Sequence, residues 1–463
     1  MKKLYRNVLF FASAVVFLAV APLVVLYAMG YRFSSATSVD PTPIGVILVE
    51  TKPSRAQVFV NDKLVGTSPE AISELPPGPA KIRVTKSGYY PWEKTVTVTP
   101  GRITEVRSIR LFPENPSATT LLSDQTSAIT AFSLSPNRRL AAVVDVNNKL
   151  SLVDESDLLV TPPVALDPSP AKPASLLWSP DNSALIVQYS NRPPEVVNFS
   201  TRQRADLPAS LLGEVEKIVW DPRVPNRLLT LNKENSLYAY NLTNNDTSLI
   251  ASNTATFATS SRNIYTVPAV SADPPHLIRH NLQGLELEII PLLSESQPLT
   301  DKIKQLLITP NADIALQTDS GALYAMQDKN LTKLIDSALS VGWSPDNNIL
   351  YIQSDPSTLY VYNINSDEPS WLPSGQLHLV NRLSQTISHP QWFAGSRHLI
   401  YQINDQIVIT EIDTRDHPVT QTIASTNLGD SQIAVGQDGA KLFYLNKPPD
   451  SPNTQLVSLE LIL

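Results

Sequence analysis

Two histidines, His276 and His280, come closest in type and spacing to residues that bind a metal ion. On one face of a helix, a spacing of four positions lets two imidazoles bind the same zinc ion. The surrounding segment PPHLIRHNL instead has the pattern of a strand, in which residues four positions apart lie about 13 Å from each other. We therefore predict that the two side chains do not share a metal.

Three carboxylates, Asp181, Asp221 and Asp346, lie in turns of similar sequence. Because Asp stabilises such turns through local hydrogen bonds, we assign these residues a structural role and not acid or base catalysis. The chain has no G-x-S-x-G, H-E-x-x-H, G-x-x-x-x-G-K or D-x-D-x-D-G motif. His389 and His398 flank another turn, and we predict that both lie at the surface. The sequence thus predicts no catalytic, cofactor-binding or metal-binding residue.

The turns that hold these carboxylates recur along the chain. The pentapeptide WSPDN occurs at residues 178–182 and again at 343–347, each time followed by an alternating apolar run. With weaker equivalents near Ser261, Ala394 and Gln437, eight units follow one another at a spacing near 43 residues. This is the period of a β-propeller blade. The best-defined repeated structural turns begin at Ser135 and Pro136, Ser179 and Pro180, Asp221 and Pro222, Thr309 and Pro310, and Ser344 and Pro345.

Four strands fit each unit, and the sequence also provides a way to close the ring. The segment TTLLSD at 119–124 is a strand that precedes the first unit, whereas the last unit ends with LVSLELIL and has no fourth strand. The early strand can complete the last blade and so remove an open edge. We predict a β-propeller over residues 117–463 with four-stranded blades, eight in number, or seven because the unit near Ser261 is weak.

The turns resemble the S-P-D-G repeats of TolB-like and other WD40-like propellers, with Asn or Arg in place of Gly and without the WD dipeptide. Four tryptophans occupy equivalent places in their units, just before or at the turn: Trp178, Trp220, Trp343 and Trp392. One interpretation is an aromatic ring that binds a ligand. Repetition at equivalent core positions favours the other interpretation, packing between blades.

A run of short strand-like segments with alternating apolar and polar residues precedes the repeats. Such alternation is typical of sheets with one buried face. Residues 44–113 resemble the PEGA domain in the strand that runs into ETKPS, the G-T-S-P step, the L-P-P-G-P turn and the K-S-G-Y-Y-P-W close. The resemblance implies a small β-sandwich of a cell-surface or envelope protein, without a general enzymatic activity. Tyr89, Tyr90 and Trp92 serve either in core packing, which we favour, or as an exposed ligand-contact platform.

The N-terminal segment is the most apolar part of the chain. Residues 8–30 are uncharged over 23 positions, long enough to cross about 30 Å of hydrocarbon. A cleaved secretory signal has a shorter apolar region of about 7–15 residues. We therefore predict an uncleaved transmembrane helix within residues 1–33, followed by a linker at 34–43. Three basic residues precede the span, which places the N-terminus in the cytoplasm and the later domains outside a single-pass cell membrane anchor.

Charge is distributed unevenly along the chain. The net charge is −7 over 463 residues, yet residues 1–43 and 44–113 carry +3 and +4, which leaves −14 for the rest. The acidic bulk argues against nucleic-acid binding. We favour a solvated mixture of surface charges as the explanation of this asymmetry. The alternative is that a basic module beside the anchor binds anionic lipid head groups or envelope polymers. Because the chain has no cysteine, it forms neither disulfides nor thiolate metal sites.

Together these patterns predict an all-β, membrane-anchored extracytoplasmic envelope protein. We expect a non-catalytic scaffold or receptor whose propeller binds a protein, peptide or glycan, because propellers present rigid loop faces and no catalytic set is found. The alternative is an extracytoplasmic hydrolase or lyase that acts on an envelope polysaccharide with carboxylates around the propeller axis. Acidic residues converging at the centre of the blades would favour the enzyme.

Overall fold

The structure is a computed structural model of the full chain. It describes all residues except 1, 29–30, 33–41, 122–127, 155–160, 167–172, 190–191, 208–214, 271–273, 294–298, 300, 328–329, 365–368, 370, 437–438 and 463. The described chain divides into two compact units. The first contains Met1–Asn115 with Arg415–Val419 and Ile462, and the second contains the remainder.

A single helix, α1 (Lys2–Ala28), opens the chain and contains Pro22. Its side chains are described from residue 10 to residue 25, and most of them are exposed. No helix among the described residues has the length and apolar character needed to cross a membrane. The transmembrane helix expected at residues 8–30 is therefore not found in the described part of the chain, and most of the expected linker lies outside that part. The short strands β1 (Tyr31–Arg32) and β2 (Thr42–Pro43) pair with each other.

Seven strands form two sheets in the first unit, as expected for a β-sandwich. The strands are β3 (Gly45–Lys52), β4 (Gln57–Val60), β5 (Lys63–Thr67), β6 (Glu70–Leu75), β7 (Gly78–Thr85), β8 (Trp92–Val98) and β9 (Ile103–Arg110). One sheet has the order β6-β3-β9 and the other the order β5-β4-β7-β8. Alternate residues of β3 and β8 are buried, and residues from both sheets share one hydrophobic core that includes Ile47 and Val96.

Eight further sheets of four strands each make up the second unit. Their strands, sheet by sheet, are β11 (Ile129–Leu134), β12 (Leu140–Asp145), β13 (Lys149–Asp154) and β14 (Val164–Ala165); β15 (Pro173–Trp178), β16 (Ala184–Tyr189), β17 (Glu195–Asn198) and β18 (Gln203–Asp206); β19 (Val215–Trp220), β20 (Arg227–Asn232), β21 (Leu237–Asn241) and β22 (Asp246–Ala251); β23 (Thr254–Thr259), β24 (Ile264–Pro268), β25 (His276–His280) and β26 (Glu286–Pro291). They continue with β27 (Ile303–Ile308), β28 (Ile314–Thr318), β29 (Leu323–Gln327) and β30 (Asn330–Ile335); β31 (Ser340–Trp343), β32 (Ile349–Asp355), β33 (Thr358–Asn363) and β34 (Leu377–Arg382); β35 (Ile387–Trp392), β36 (His398–Ile403), β37 (Gln406–Glu411) and β38 (Thr420–Ser425); and β39 (Ile433–Val435), β40 (Lys441–Asn446), β41 (Gln455–Glu460) and β10 (Ala118–Leu121). We number these sheets 1 to 8 in that order.

Consecutive sheets pack face to face. The second strand of a sheet is buried on one face by the preceding sheet and on the other face by the following sheet. In β12, Ala141 and Val143 pack toward sheet 8, whereas Ala142 and Val144 pack toward sheet 2. A strand that is buried on both faces reads as a continuous apolar run, which explains the segment LAAVVD. The first strands of neighbouring sheets also contact each other, as in the pair β11 and β15, so they lie nearest the common axis.

The closing strand predicted at residues 119–124 is confirmed for residues 119–121, as part of β10. Residues 122–124 lie outside the described residues. Strand β10 pairs in antiparallel fashion with β41, with Ala118 opposite Leu459 and Leu121 opposite Leu456. Sheet 8 thus combines one strand from the beginning of the propeller with three from its end. This arrangement gives β41 a partner on the edge that faces away from β40.

Removal of β10 should therefore weaken the whole propeller. We expect deletion of residues 118–121 to expose the edge of β41 and to lower the midpoint of thermal unfolding by several degrees, with a broader transition, because sheet 8 then loses its fourth strand. Circular dichroism during heating measures both changes. The matched control is the double variant Thr119→Ala and Thr120→Ala, which keeps the backbone pairing and alters only exposed side chains. If the deletion and the control melt alike, β10 does not close the ring.

Candidate functional site

The repeated turns share one hydrogen-bond pattern, which accounts for their sequence. The hydroxyl of Ser344 accepts a hydrogen bond from the N–H of Ile349 at 3.0 Å and donates one to Asp346 Oδ1 at 2.6 Å. Ser135 and Ser179 make the same two bonds within their own turns. The serine thereby joins the two ends of the turn, and the carboxylate or amide two positions later orients its hydroxyl. The carboxylates of these turns therefore have a structural role, because they accept the hydrogen bond of the serine hydroxyl.

Asp221 serves the same purpose in a more strongly charged turn. Its buried carboxylate accepts hydrogen bonds from Arg223 Nε at 2.7 Å and from Arg227 Nε at 2.9 Å. Burial alone would raise the pKa of Asp221, but the hydrogen bonds from Arg223 and Arg227 outweigh it and lower the pKa. Arg227 also donates to the carbonyl of Leu282 at 3.0 Å, in the β25–β26 connection of sheet 4. The carboxylate thus holds an arginine that joins two sheets.

The fourth position of the turn has a left-handed backbone, at the place where the S-P-D-G repeats that these turns resemble have glycine. The φ angles are 56° at Arg138, 64° at Asn182 and 62° at Asn347. Asn adopts this conformation at lower cost than most residues. The replacement of glycine by asparagine in this chain therefore keeps the turn geometry.

The repeated tryptophans join neighbouring sheets. The indole N–H of Trp178 donates to the carbonyl of Ser133 at 3.1 Å, and the N–H of Trp220 to that of Leu177 at 2.8 Å. Trp392 makes the equivalent bond to the first strand of sheet 6. The indole nitrogen of Trp343 is buried without a hydrogen-bond partner among the described residues. Three of the four tryptophans therefore pack between blades, and the alternative of a ligand-binding ring is not supported for them.

A second set of inter-sheet contacts was not predicted from the sequence. The side-chain amides of Gln317, Gln353 and Gln402 donate to backbone carbonyls of the segment that begins the next sheet, at 2.5, 2.9 and 2.7 Å. All three are buried near the end of a second strand. The only available signal was the recurrence of glutamine at this place in three successive units.

The structure separates His276 from His280, as the strand pattern predicted, but it does not place His398 at the surface. His276 and His280 lie at opposite ends of β25. His280 is buried and its Nε2 lies 2.8 Å from the hydroxyl of Thr266; burial lowers its pKa. His389 is partly exposed beside Asp430. The prediction of a surface position for His398 is wrong, because His398 is buried with its ring edge-on to a phenylalanine.

The aromatic residues of the first unit belong mainly to its core. Tyr89 and Trp92 are 5% and 4% exposed and lie within the hydrophobic cluster that joins the two sheets. Tyr90 is half-buried, and its backbone N–H donates to the carbonyl of Phe112. An exposed platform that uses Tyr89 and Trp92 is thus not present, and core packing explains both residues.

The strands nearest the propeller axis carry little acidic charge. Among the described first strands of the eight sheets, Glu216 is the one residue with a carboxylate. Glycoside hydrolysis ordinarily requires two carboxyl groups about 5–10 Å apart. The described strands around the axis therefore do not provide the arrangement that would favour the enzymatic alternative.

A cleft of about 380 Å³ lies where sheets 3, 4 and 5 meet, at the end where their first strands begin. Its wall includes the apolar residues Ala255 and Val267, and its charged lining includes Glu216, Lys302 and Lys304. These three charged residues are exposed. The cleft thus combines an apolar floor with charges of both signs, and it is the candidate binding site of the propeller.

One side of the cleft is held in place by Asp301. Its carboxylate accepts hydrogen bonds from the backbone N–H groups of Ser320 and Lys302, each at 2.9 Å. The hydrogen bonds from Ser320 are the main cause that lowers the pKa of Asp301 to about 2. Asp301 is therefore ionised at neutral pH, and it ties the segment before β27 to the β28–β29 turn. This contact positions Lys302 and Lys304 at the rim of the cleft.

Substitutions in one repeated turn can separate structural from chemical roles. We expect Ser344→Ala to destabilise the propeller by about 1–3 kcal/mol, because the buried N–H of Ile349 loses its acceptor. Asp346→Asn should change the free energy of unfolding by less than about 0.5 kcal/mol, since the amide oxygen still accepts from the serine. Urea unfolding measures both values. A larger loss for Asp346→Asn than for Ser344→Ala would contradict the structural role of the carboxylate.

Comparison with known proteins gives one family match, and the structural likenesses are distant. Residues 44–113 match the PEGA domain, and no curated protein matches the chain. Solved structures similar to the chain include the computationally designed protein Ika8, with 12% identity over 73% of this chain and 98% of that one and a TM-score of 0.48. Others are the C-terminal WD40 domain of Sif2, with 12% identity over 74% and 98% and a TM-score of 0.47, and the β-propeller domain of Cps50 (Swd1) from Myceliophteria thermophila, with 11% identity over 76% and 100% and a TM-score of 0.43.

The order of the two folded parts follows from these observations. The match to residues 44–113 coincides with the two-sheet unit of strands β3 to β9. The other part consists of the four-stranded sheets that begin with β11. Strand β10 joins the start of this part to its end. Residues 44–113 are therefore a PEGA domain, and a β-propeller with four-stranded blades follows it in the chain.

Proposed function

We propose that this chain is a non-catalytic scaffold whose propeller binds a protein or peptide partner in the cleft between sheets 3, 4 and 5. The observation that carries the proposal is the contrast between the repeated turns and the cleft. The carboxylates of the turns are committed to hydrogen bonds within the fold, as for Asp221 and Asp346. The exposed side chains of Glu216, Lys302 and Lys304 at the cleft are available to a partner.

The lining of the cleft favours a peptide over a glycan. Binding sites for small segments combine apolar walls with a few polar groups that fix orientation. Here Val267 and Ala255 supply apolar surface, and charges of both signs stand at the rim. A polypeptide offers apolar side chains together with charges of both signs, whereas a neutral glycan offers neither. We therefore propose a peptide segment as the occupant.

We further propose that the eight sheets are eight blades of one closed ring, and that the scaffold is anchored in a cell membrane with its folded domains outside. The contacts between consecutive sheets and the pairing of β10 with β41 support the ring. The anchor rests on the 23 uncharged residues at 8–30 and on the three basic residues that precede them. A basic domain beside anionic lipid head groups suits this location.

Photocrosslinking in cells that express the full chain tests the cleft. A benzophenone amino acid at position 304 should give a discrete crosslinked product with another protein, because Lys304 stands at the rim of the cleft. The same amino acid at position 447 is the matched control, since Lys447 is exposed in the β40–β41 turn of sheet 8. The double variant Lys302→Glu and Lys304→Glu should reduce binding of the captured partner at least tenfold, and Lys447→Glu should leave it unchanged. Equal products from both positions, or none from position 304, would contradict the proposal.

Protease accessibility tests the location. Protease added to spheroplasts that contain the full chain should degrade residues 34–463 and leave a short membrane-bound fragment, because the basic residues before the apolar stretch remain in the cytoplasm. A cytoplasmic marker protein serves as the control for intact spheroplasts. Protection of the chain until the spheroplasts are lysed would overturn the proposed orientation.

A further inference from the structure

The exposed apolar residues of the propeller are concentrated at one outer strand. Leu285, Leu287, Ile289 and Leu293, in and beside β26, are between 47% and 64% exposed. Strand β26 is the fourth strand of sheet 4, and it has β25 as its one neighbour in that sheet. Other fourth strands, such as β38 with the sequence TQTIAS, present mainly polar residues. An exposed apolar patch of this kind marks an interaction surface.

The free edge of β26 also offers backbone groups to a partner. Within the part of the chain that the structure describes, no strand pairs with residues 286–291 on the side that faces away from β25. Beyond the strand, Leu293 is bridged to Asn330 of β30, so the free edge ends there. An edge strand presents a row of N–H and C=O groups that can pair with an added strand, and native proteins usually protect such edges with charge, proline or a covering segment. The edge of β26 carries Leu287 and Ile289 between Glu286 and Glu288, and it ends at Pro291, which has no N–H to donate. The part suited to strand addition is therefore residues 286–290.

The charges of β26 indicate which strand would fit. Glu286 and Glu288 alternate with Leu287 and Ile289 along the exposed edge. Glu288 forms an ion pair with Arg279 at 2.9 Å, yet its side chain remains 47% exposed. Directly opposite residues in paired strands stabilise each other when they are both apolar or oppositely charged. The complementary strand therefore has aliphatic residues that alternate with lysine or arginine.

The same charges disfavour a second copy of this chain in the two registers that bring the glutamates of β26 opposite each other. A two-fold antiparallel pairing of β26 with itself, centred on Leu287, places Glu286 opposite Glu288, and one centred on Glu288 places that residue opposite its own copy. Like charges in directly opposite positions are destabilising. The net negative charge of the propeller adds to this repulsion.

We propose that β26 is a docking edge for an extended segment of a partner protein in which aliphatic residues alternate with lysine or arginine. The segment adds a fifth strand to sheet 4 through backbone hydrogen bonds, with its aliphatic residues against Leu287 and Ile289 and its cationic residues against Glu286 and Glu288. This edge shares no residue with the cleft between sheets 3, 4 and 5. The propeller thus has a second, separate binding surface.

Fluorescence anisotropy with the full chain in neutral detergent tests the docking edge. The probe is a labelled eight-residue peptide of alternating lysine and valine with blocked ends, and the reference peptides carry glutamate in place of lysine or N-methyl groups on alternate amides. We expect the lysine peptide to bind at least tenfold more tightly than either reference peptide. The glutamate peptide lacks the complementary charge, and the N-methylated peptide cannot form the backbone hydrogen bonds of an added strand.

Variants of the chain identify the site of binding. The variant Ile289→Lys should weaken binding of the lysine peptide at least tenfold, whereas Leu379→Lys, at an exposed leucine of β34 in sheet 6, is the matched control and should not change it. The double variant Glu286→Lys and Glu288→Lys should prefer the glutamate peptide. The cleft variant Lys302→Glu and Lys304→Glu should bind the lysine peptide as the unmodified chain does, which separates this test from that of the cleft.

Three results would overturn the docking edge. The first is equal affinity for the lysine peptide and its N-methylated form, which would show that binding does not use the backbone. The second is an unchanged peptide preference after reversal of the two glutamates. The third is a concentration-dependent dimer that is lost in Ile289→Lys, measured by light scattering, which would identify a second copy of the chain as the occupant.

Discussion

The pairing of β10 with β41 is the contact on which the rest of the propeller depends. Each sheet buries its apolar strands against both neighbours, so no sheet can be stable by itself, and the succession of sheets needs a closed end. The hydrogen bonds between residues 118–121 and 456–459 provide that closure. They join the start of the second unit to its end, and they support the closed ring that we propose.

Polar groups between the sheets then fix their separation and order. Indole N–H groups and glutamine amides donate to backbone carbonyls of adjacent sheets, as Trp220 and Gln402 do. Buried amide and indole groups are costly without such partners, so these bonds specify one packing arrangement among several that apolar contact alone would allow. The side chains that remain for other molecules therefore lie at the ends and outer edges of the strands, at the cleft and at β26.

The parts of the fold that depend on local pattern were predictable from the sequence. The turns at Ser179 and Ser344 have a serine, a proline and an aspartate whose bonds stay within the turn, and the missing fourth strand of the last unit indicated closure. Gln317 and its equivalents were missed, because a glutamine in a strand has no local signal and its partner lies in the next sheet. The shape of the cleft was missed for the same physical reason, since it arises from elements that are distant in sequence and adjacent in the fold. The burial of His398 was missed because its turn was read as a surface turn, whereas its ring packs against Phe393.

The composition of sheet 8 also imposes an order of events during protein synthesis. A ribosome makes β10 about 340 residues before the strand that pairs with it, so for most of translation this segment has no partner in the sheet that it completes. The seven sheets made in between can begin to pack as they emerge, but the ring stays open until β41 is made. A chaperone or an early contact that keeps the segment extended during that interval would therefore favour correct assembly over pairing with a strand of another chain.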